Sequence, residues 1–313
     1  MGNNSIGRRL LSFPVPAEGE CLYSIFVRYH KKSANRNSDY TSLELFGSRI
    51  NLRYTVALPY CIERADAWIS PRCGITMRTI QRRNTAQGYL QMSGIFPDGS
   101  FEKLTKARQV PGRGWIHRML EVAHGGKQGL YFCPQCAKED ALQIGEPYWH
   151  LSHQLLGVEY CPEHGELLQA IKPSQYEMSR RYLAVSDIMP GDIDKRDTAS
   201  LRKYRQQFIE LGKTIAEMVN QSMDTDYREL MCLYERERPN FDMHKMVRLI
   251  ESYGGKDFIA ALYPGEKYDN LIDEVTKKGP AAIPPVIHAL LITALGLRED
   301  KLKGSTKRRH SQR

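Results

Sequence analysis

The chain contains the segment Cys133-Pro134-Gln135-Cys136 and, 24 residues later, the segment Cys161-Pro162-Glu163-His164. Each segment places a second metal-binding residue three positions after a cysteine, so the two form a pseudo-repeat. Three thiolates and one imidazole make a complete tetrahedral ligand set for Zn²⁺. The alternative is two unrelated pairs of buried residues. The spacing favours a zinc site whose ligands are Cys133, Cys136, Cys161 and His164.

All four positions of this site are filled by protein, which indicates a structural metal and leaves no position for an activated water. Such a metal stabilises the folded state by on the order of 10 kcal/mol. The 38-residue stretch Tyr131–Leu168 is too short to bury enough apolar surface without a cross-link. His150 and His153 lie between the segments and could replace a ligand, but the pattern favours polar residues on a strand or helix face.

The surrounding residues resemble the zinc-binding core of the TniQ/TnsD family. The resemblance lies in Tyr131-Phe-Cys-Pro-Gln-Cys, in the element Trp149-x-x-Ser152-x-Gln154, and in Gly157-Val158 before the second pair. The opening Phe13-Pro14-Val15-Pro16 and the run Glu20-Cys21-Leu22-Tyr23-Ser24 also resemble the start of family members.

This resemblance implies a transposition protein without catalytic activity. Family members select the target site of heteromeric Tn-type DNA transposons and recruit a TnsC-like AAA+ ATPase, which brings in the transposase for DNA recombination. By analogy, the proline-rich arm and the first helix contact the ATPase. Members find the target by reading double-stranded DNA or by docking on a CRISPR RNA-guided effector complex. Direct reading is the first expectation here, and docking is the alternative.

Length and composition are those of a globular protein with two or three domains: 313 residues, 41% hydrophobic and 26% charged. The sequence has no run of 18 apolar residues and no apolar segment of a secretory signal near Met1. Four of the seven cysteines lie outside the zinc pairs and are scattered singly, as in a reducing compartment. These features fit a cytoplasmic protein, and the resemblance implies a bacterial one that joins the nucleoid when bound to DNA.

Positive charge is concentrated toward the two ends of the chain. Residues 1–130 have a net charge of +10, residues 131–200 of −5 and residues 201–313 of +4. Such asymmetry fits contact with a phosphate backbone, although a solvated surface can look the same. The cations predicted to contact DNA are Arg28, Lys31, Lys32, Arg78, Arg82, Arg83, Lys301, Lys303, Lys307, Arg308 and Arg309.

The pattern predicts a mainly α fold with a small α/β zinc-ribbon-like module. Its predicted parts are an N-terminal arm and helix-turn-helix-like domain (residues 1–128), a central zinc finger (129–170), a C-terminal helical domain (171–297) and a basic disordered tail (298–313). Apolar spacing predicts helices over 21–32, 42–46, 60–69, 75–83, 201–218, 243–253, 257–262 and 285–295. Residues 84–112, rich in glycine and proline, are predicted to form short strands and loops, and residues 171–198 an acidic hinge.

The sequence offers no catalytic motif. The glycine-rich run at residues 125–129 lacks the spacing of a phosphate-binding loop, and no serine-hydrolase or zinc-protease signature is present. A zinc-dependent nuclease is therefore disfavoured. A zinc-stabilised interaction module without DNA contact is a third possibility, which absence of DNA affinity at low salt would support.

Overall fold

The computed structural model describes residues 13–69, 75–96, 99–106, 113–125, 127, 129–172, 174, 177, 180–194, 197–220, 227–237, 242–263, 277, 279 and 283–297. Its first half consists of short helices. They are α1 (Leu22–Lys32), α2 (Ser38–Phe46), α3 (Ile62–Ile69), α4 (Met77–Arg83), α5 (Gln87–Gln91), α6 (Ser100–Thr105) and α7 (Arg113–His124). The chain continues with α8 (Pro134–Ile144), α9 (Ala199–Lys203), α10 (Arg205–Asn220), α11 (Tyr227–Glu237), α12 (Met243–Leu262) and α13 (Pro285–Ala294).

A small antiparallel sheet joins the middle of the chain to the segment that follows it. Strand β1 (Leu130–Phe132) pairs with β2 (Gln169–Ile171), which pairs in turn with β3 (Ile193–Asp194). Strands β1 and β2 flank the segments 133–136 and 161–164, so the sheet closes the stretch into a compact module. Strand β2 spans position 170, where a domain boundary is predicted, and β3 lies in the predicted hinge; the domain division itself stays a prediction.

The C-terminal helices pack on apolar side chains. Helix α10 lies against α13, which also contacts α12. Leu201, Tyr204, Phe208, Leu211, Ile215 and Met218 are all buried, as their helical spacing predicts. Helix α13 begins with Pro285 in its first turn, where a missing N–H breaks no helical bond. Its residues from Pro285 to Ile292 are buried on every side, which places it at the centre of the bundle.

Gly255 divides α12 into two helical pieces. Its φ of 74° lies in the left-handed region, and the helix is kinked at this residue. The kink coincides with the predicted stop at Tyr253-Gly254-Gly255 and the predicted restart at Asp257. Gly255 therefore ends the first helical piece of α12, and the second piece begins directly after it.

The mainly helical fold class with a small sheet is confirmed, but one local prediction is wrong. Residues 84–112 contain the short helices α5 and α6 where strands and loops are predicted. Tyr89 and Leu90 of α5 are buried, and α5 contacts α7 and α10, so tertiary packing stabilises a helix that glycine disfavours locally. Among the described residues, no helix is long and apolar enough to cross a membrane.

Candidate metal centre

The structure brings the four predicted ligands together. One atom from each of Cys133, Cys136, Cys161 and His164 lies within 4.8 Å of the others, and the three cysteines are buried. The Nδ1 atom of His164 lies 3.6, 3.3 and 3.5 Å from the sulfurs of Cys133, Cys136 and Cys161 respectively. The sulfurs of Cys136 and Cys161 are 3.5 Å apart. The cluster therefore has a closed, four-cornered shape.

These separations fit a tetrahedral metal. A zinc ion with Zn–S bonds of about 2.3 Å and a Zn–N bond of about 2.0 Å has ligand–ligand edges of about 3.5 to 3.8 Å. The distances around His164 Nδ1 match the sulfur–nitrogen edges. Soft thiolates with one imidazole also suit zinc better than a hard cation such as magnesium. The cluster could thus hold a metal ion without rearrangement of its backbone.

Each cysteine pair is shaped by the backbone around it. Cys133 precedes helix α8 as its N-cap residue, and Pro134 occupies the first turn. Two sulfurs therefore lie at a helix N-terminus, whose partial positive charge favours thiolates. In the second pair, the His164 amide points at the Cys161 sulfur, 3.4 Å away. Gly165 then turns the chain with a φ of 63°, donating its N–H to the Cys161 carbonyl.

The three sulfurs shift one another's pKa values. Hydrogen bonds from Cys136 and Cys161 lower the pKa of Cys133, and the same bond to Cys133 raises the pKa of Cys136. The Cys133 sulfur and burial raise the pKa of Cys161 to about 11. Three adjacent thiolates repel one another, so ionising all three at neutral pH is unfavourable unless a cation lies between them. Metal binding at such a cluster would displace protons, so acid would oppose it.

Carboxylates surround the cluster. Glu139 lies on α8 one turn after Cys136, and its Oε1 is 3.0 Å from His164 Nε2. Glu166 Oε2 lies 3.9 Å from the Cys133 sulfur. Asp140 Oδ2 is 3.0 Å from His150 Nε2. Each of these acids therefore has a different neighbour, although two of them are consecutive on one helix.

Gln154, the last residue of the family-like Trp-x-x-Ser-x-Gln element, covers the open edge of β1. Its Oε1 accepts the Tyr131 N–H at 3.0 Å, and its Nε2 donates to the Tyr131 carbonyl at 2.7 Å and the His150 carbonyl at 2.9 Å. The amide side chain thus makes the two hydrogen bonds that a residue of a neighbouring strand would make with Tyr131. It satisfies backbone groups next to Cys133 that burial would otherwise leave unpaired.

Trp149 fastens the module to the N-terminal part of the chain. Its backbone accepts the Cys21 N–H at 2.9 Å and donates to Ser24 Oγ at 3.1 Å, and its indole donates to the Leu183 carbonyl at 2.7 Å. Tyr23 donates to the Arg181 carbonyl at 2.8 Å. The two segments that carry the resemblance, around Tyr23 and around Trp149, are therefore in direct contact.

Gly157 brings the module against the C-terminal helices. Its φ is +89°, and a Cβ at this position would lie 3.1 Å from Ile215 and Val286 and 3.2 Å from Leu211. Val158 is fully buried beside it, and Gly212 of α10 faces Val158 and the Tyr160 carbonyl. A glycine is required here by both the backbone angle and the close approach of α10 and α13.

His150 and His153 lie outside the cluster of Cys133, Cys136, Cys161 and His164. Their rings stack with centroids 4.8 Å apart, and His150 stacks in turn on Tyr148 at 4.4 Å. His153 is buried, and desolvation lowers its pKa well below the ordinary value, so it is neutral. The two rings are part of the packing beside the cluster.

The prediction for Arg28 is wrong because its guanidinium is buried. The side chain is 8% exposed and forms ion pairs with Glu20 at 2.7 Å and Glu146 at 2.9 Å. It also donates to the Val15 carbonyl at 3.2 Å. Arg28 therefore holds the N-terminal arm on α1, and its burial makes it unsuited to the predicted contact with DNA.

The other predicted cations differ in their surroundings. Lys31 pairs with Asp187 and Lys32 with Glu146, and each is about two-fifths exposed. Arg78, Arg82 and Arg83 are exposed on α4, whose Met77 and Ile80 face inward. The tail cations Lys301, Lys303, Lys307, Arg308 and Arg309 lie outside the described residues. Contact with DNA stays a prediction for all of these lysines and arginines.

Two residues of the site escape sequence reasoning. Lys127, in the glycine-rich run, has a buried ammonium that donates to the carbonyls of His153, at 3.1 Å, and Val158. Glu139 reaches His164, which no ligand spacing reveals. The only signal for Glu139 is its position three residues after Cys136 on a predicted helix, a spacing that places both on one face.

Comparison with known proteins places this constellation in a family. The family model described as TniQ matches residues 11–168, which is half of the chain and includes the arm, helices α1 to α8 and all four residues of the cluster. A search of curated proteins gives no match. The matched region ends at Leu168, directly after the second metal-binding segment.

Proposed function

This chain belongs to the TniQ family, and on that premise we propose that it selects the target site for transposition. Family membership carries a transposition-associated adaptor role in a non-catalytic family. In the proposed role the protein binds double-stranded target DNA and recruits a TnsC-like AAA+ ATPase regulator of the transposase. The match over residues 11–168 is the observation that carries this proposal.

A structural zinc in the Cys133–His164 cluster is part of the proposal. The donor set and its separations support it, since they fit a closed tetrahedral site. The four residues would hold the ion, and the ion would supply cross-linking of two distant segments. No position is left for a substrate, so the proposed role of the metal is to fix the module between α1 and α10.

The DNA-contacting face that we propose includes α4. Arg78, Arg82 and Arg83 are exposed there, and the sequence from residue 67 to residue 97 contains no acidic residue. Helix α4 packs against α3, as in a pair of helices that presents one member to a groove. Guanidinium groups on such a helix can bond phosphates or the edge of guanine.

The ATPase-contacting surface that we propose is the N-terminal arm with α1. Val15 is 64% exposed although the arm around it is held by Arg28 and Glu20. The assignment follows the family analogy, and Val15 is an exposed side chain on a fixed backbone at which it can be tested. Pull-down of a TnsC-like ATPase by the wild type and by a Val15→Asp variant tests this assignment. The variant is expected to lose the ATPase while keeping its DNA affinity.

Titration of labelled double-stranded DNA at several salt concentrations tests the DNA proposal. The triple variant of Arg78, Arg82 and Arg83 to alanine is compared with a control that replaces Lys138, Lys203 and Lys213, exposed cations elsewhere. If each arginine contacts one phosphate, the log–log salt slope falls by about 2.7 in the first variant and stays unchanged in the control. Equal slopes in both variants contradict an α4 interface.

Sequence preference is tested with the DNA that flanks an insertion site against scrambled DNA. A direct reader prefers the flanking DNA without guide RNA. Weak, sequence-blind binding that depends strongly on salt would instead favour docking on a CRISPR effector complex. Absence of any DNA affinity at low salt would contradict both the α4 interface and direct reading.

A further inference from the structure

The ring of His164 has two nitrogens in different surroundings. Nδ1 faces the three sulfurs at 3.3 to 3.6 Å, and Nε2 lies 3.0 Å from Glu139 Oε1. A neutral imidazole that binds a metal through Nδ1 carries its proton on Nε2. A carboxylate accepting that proton fixes both the tautomer and the plane of the ring.

Helix α8 provides this carboxylate with the geometry that it needs. Cys133 caps the helix, Cys136 lies in its first turn and Glu139 follows one turn later on the same face. One rigid element therefore carries two sulfurs and the group that orients the imidazole. The Glu139 side chain is 48% exposed, so its hydrogen bond with His164 adds little to stability by itself.

The neighbouring acids do not share this arrangement. Asp140 is directed to His150, and Glu166 lies beside the Cys133 sulfur, where a negative charge would repel a thiolate. Glu163 precedes His164 in the sequence and is exposed. Within the described residues, Glu139 is the acid directed at the outer nitrogen of the His164 ring.

We propose that Glu139 is a positioning residue that prepares His164 for metal binding through Nδ1. This inference rests on the metal site proposed above. Without the Glu139 carboxylate, the imidazole is free to rotate and to place its proton on Nδ1, the atom that must bind the metal. Part of the binding free energy is then spent on selecting the correct tautomer and orientation.

The test is the zinc dissociation constant of the full chain, measured by competition with a chromophoric chelator. Replacing Glu139 with alanine is expected to weaken zinc binding by about 10- to 100-fold, the usual effect of losing such a partner. Glu139→Gln keeps an oxygen that can accept from Nε2–H and should lie between alanine and wild type. Glu163→Ala removes the same charge next to His164 and should bind zinc as the wild type does.

Nitrogen NMR of His164 separates positioning from general stability. The zinc-loaded wild type is expected to show a protonated, slowly exchanging Nε2, and Glu139→Ala a rapidly exchanging one. Urea unfolding of the metal-free proteins should be the same for Glu139→Ala and Glu163→Ala. Equal zinc affinity in those two variants would overturn the role of Glu139. A wild type that binds no zinc would instead overturn the metal site itself.

Discussion

The module of residues 130–171 and the C-terminal bundle share one apolar core, but among the described residues only the module adds a cluster of side chains that could hold a metal ion. Residues 130–171 have short strands, a helix of eleven residues and a cluster of three sulfurs with one imidazole. The bundle of α10, α12 and α13 relies on side chains such as Phe208, Leu290 and Phe258, all of which are fully buried. The two regions should therefore respond to different substitutions. We expect the module to be destabilised most by loss of any of the four residues of the cluster, and the bundle by loss of buried apolar volume.

The largest expected effect is on the module. Cys136→Ala removes a ligand and with it most of a stabilisation of on the order of 10 kcal/mol, provided that zinc is bound. Zinc content measured by atomic emission and circular dichroism of the purified variant check this. Cys232→Ala is the matched control, because Cys232 is exposed and lies outside the cluster. A Cys136→Ala protein with wild-type stability and zinc content would contradict the account.

A smaller effect is expected in the bundle. Leu290 on α13 is fully buried, so Leu290→Ala should lower the free energy of unfolding by about 2 to 5 kcal/mol. Zinc affinity of the folded protein should stay unchanged. Leu142 on α8 is 86% exposed, and the same substitution there should change stability by less than about 0.5 kcal/mol. Urea titrations of both variants give the comparison.

Buried His288 in the bundle should make the free energy of unfolding depend on pH in the acidic range. Its Nδ1 is 3.0 Å from the Tyr234 hydroxyl, and desolvation lowers its pKa from 6.5 to about 3. Below pH 6.5 the His288 side chain is protonated in the unfolded chain but stays neutral in the folded chain. The contribution of His288 to the free energy of unfolding is therefore fully present above pH 6.5 and is lost as pH falls toward 3. The loss amounts to about 1.4 kcal/mol per pH unit.

His288→Gln removes this titration. The difference in unfolding free energy between wild type and variant should therefore shift in favour of the variant as pH falls from 6.5 to 4.5. Urea titrations at several pH values measure it. His244→Gln, at an exposed histidine, should leave the pH dependence as it is in the wild type. A parallel pH dependence in all three proteins would contradict the assignment of a neutral, buried His288.

The smallest effect tests the contact between the two regions. Gly157→Ala places a methyl group against Leu211, Ile215 and Val286 and should cost about 1 to 3 kcal/mol. Gly145 has a similar φ of +85° but open space around it, so Gly145→Ala carries the backbone strain without the contact. The excess cost of Gly157→Ala, measured by thermal unfolding, reports the packing of the module on α10. Equal costs would mean that this packing is loose.

The sequence predicts the parts of both regions that depend on local chemistry. Cysteine spacing identifies the four residues of the cluster, and apolar periodicity identifies α10, because ligand knuckles and helices are determined within a few residues. Apolar periodicity fails at Arg28, because in α1 it places this residue on an outer, solvent-facing side of the helix. In the structure the arm and Glu146 cover that face and bury the guanidinium.

Long-range contacts account for the other misses. Gln154 bonds to Tyr131, which lies 23 residues earlier, and Glu139 bonds to His164, 25 residues later. Neither pairing has a periodic signal. Helix α5 likewise depends on its contacts with α7 and α10, while its own glycine predicts a turn. The roles of Gln154 and Glu139 therefore become visible only when the strands and helices are in place.

Hydrogen exchange with and without metal tests the contrast between the two regions most directly. The 313-residue chain, zinc-loaded or treated with a chelator, is exchanged and digested into peptides. Peptides from Leu130 to Ile171 are expected to lose most of their protection on metal removal, while those of α10 and α13 keep theirs. Identical protection of the module in both samples would contradict the proposal that a metal stabilises its fold. This result would not depend on which protein partner or DNA the chain binds.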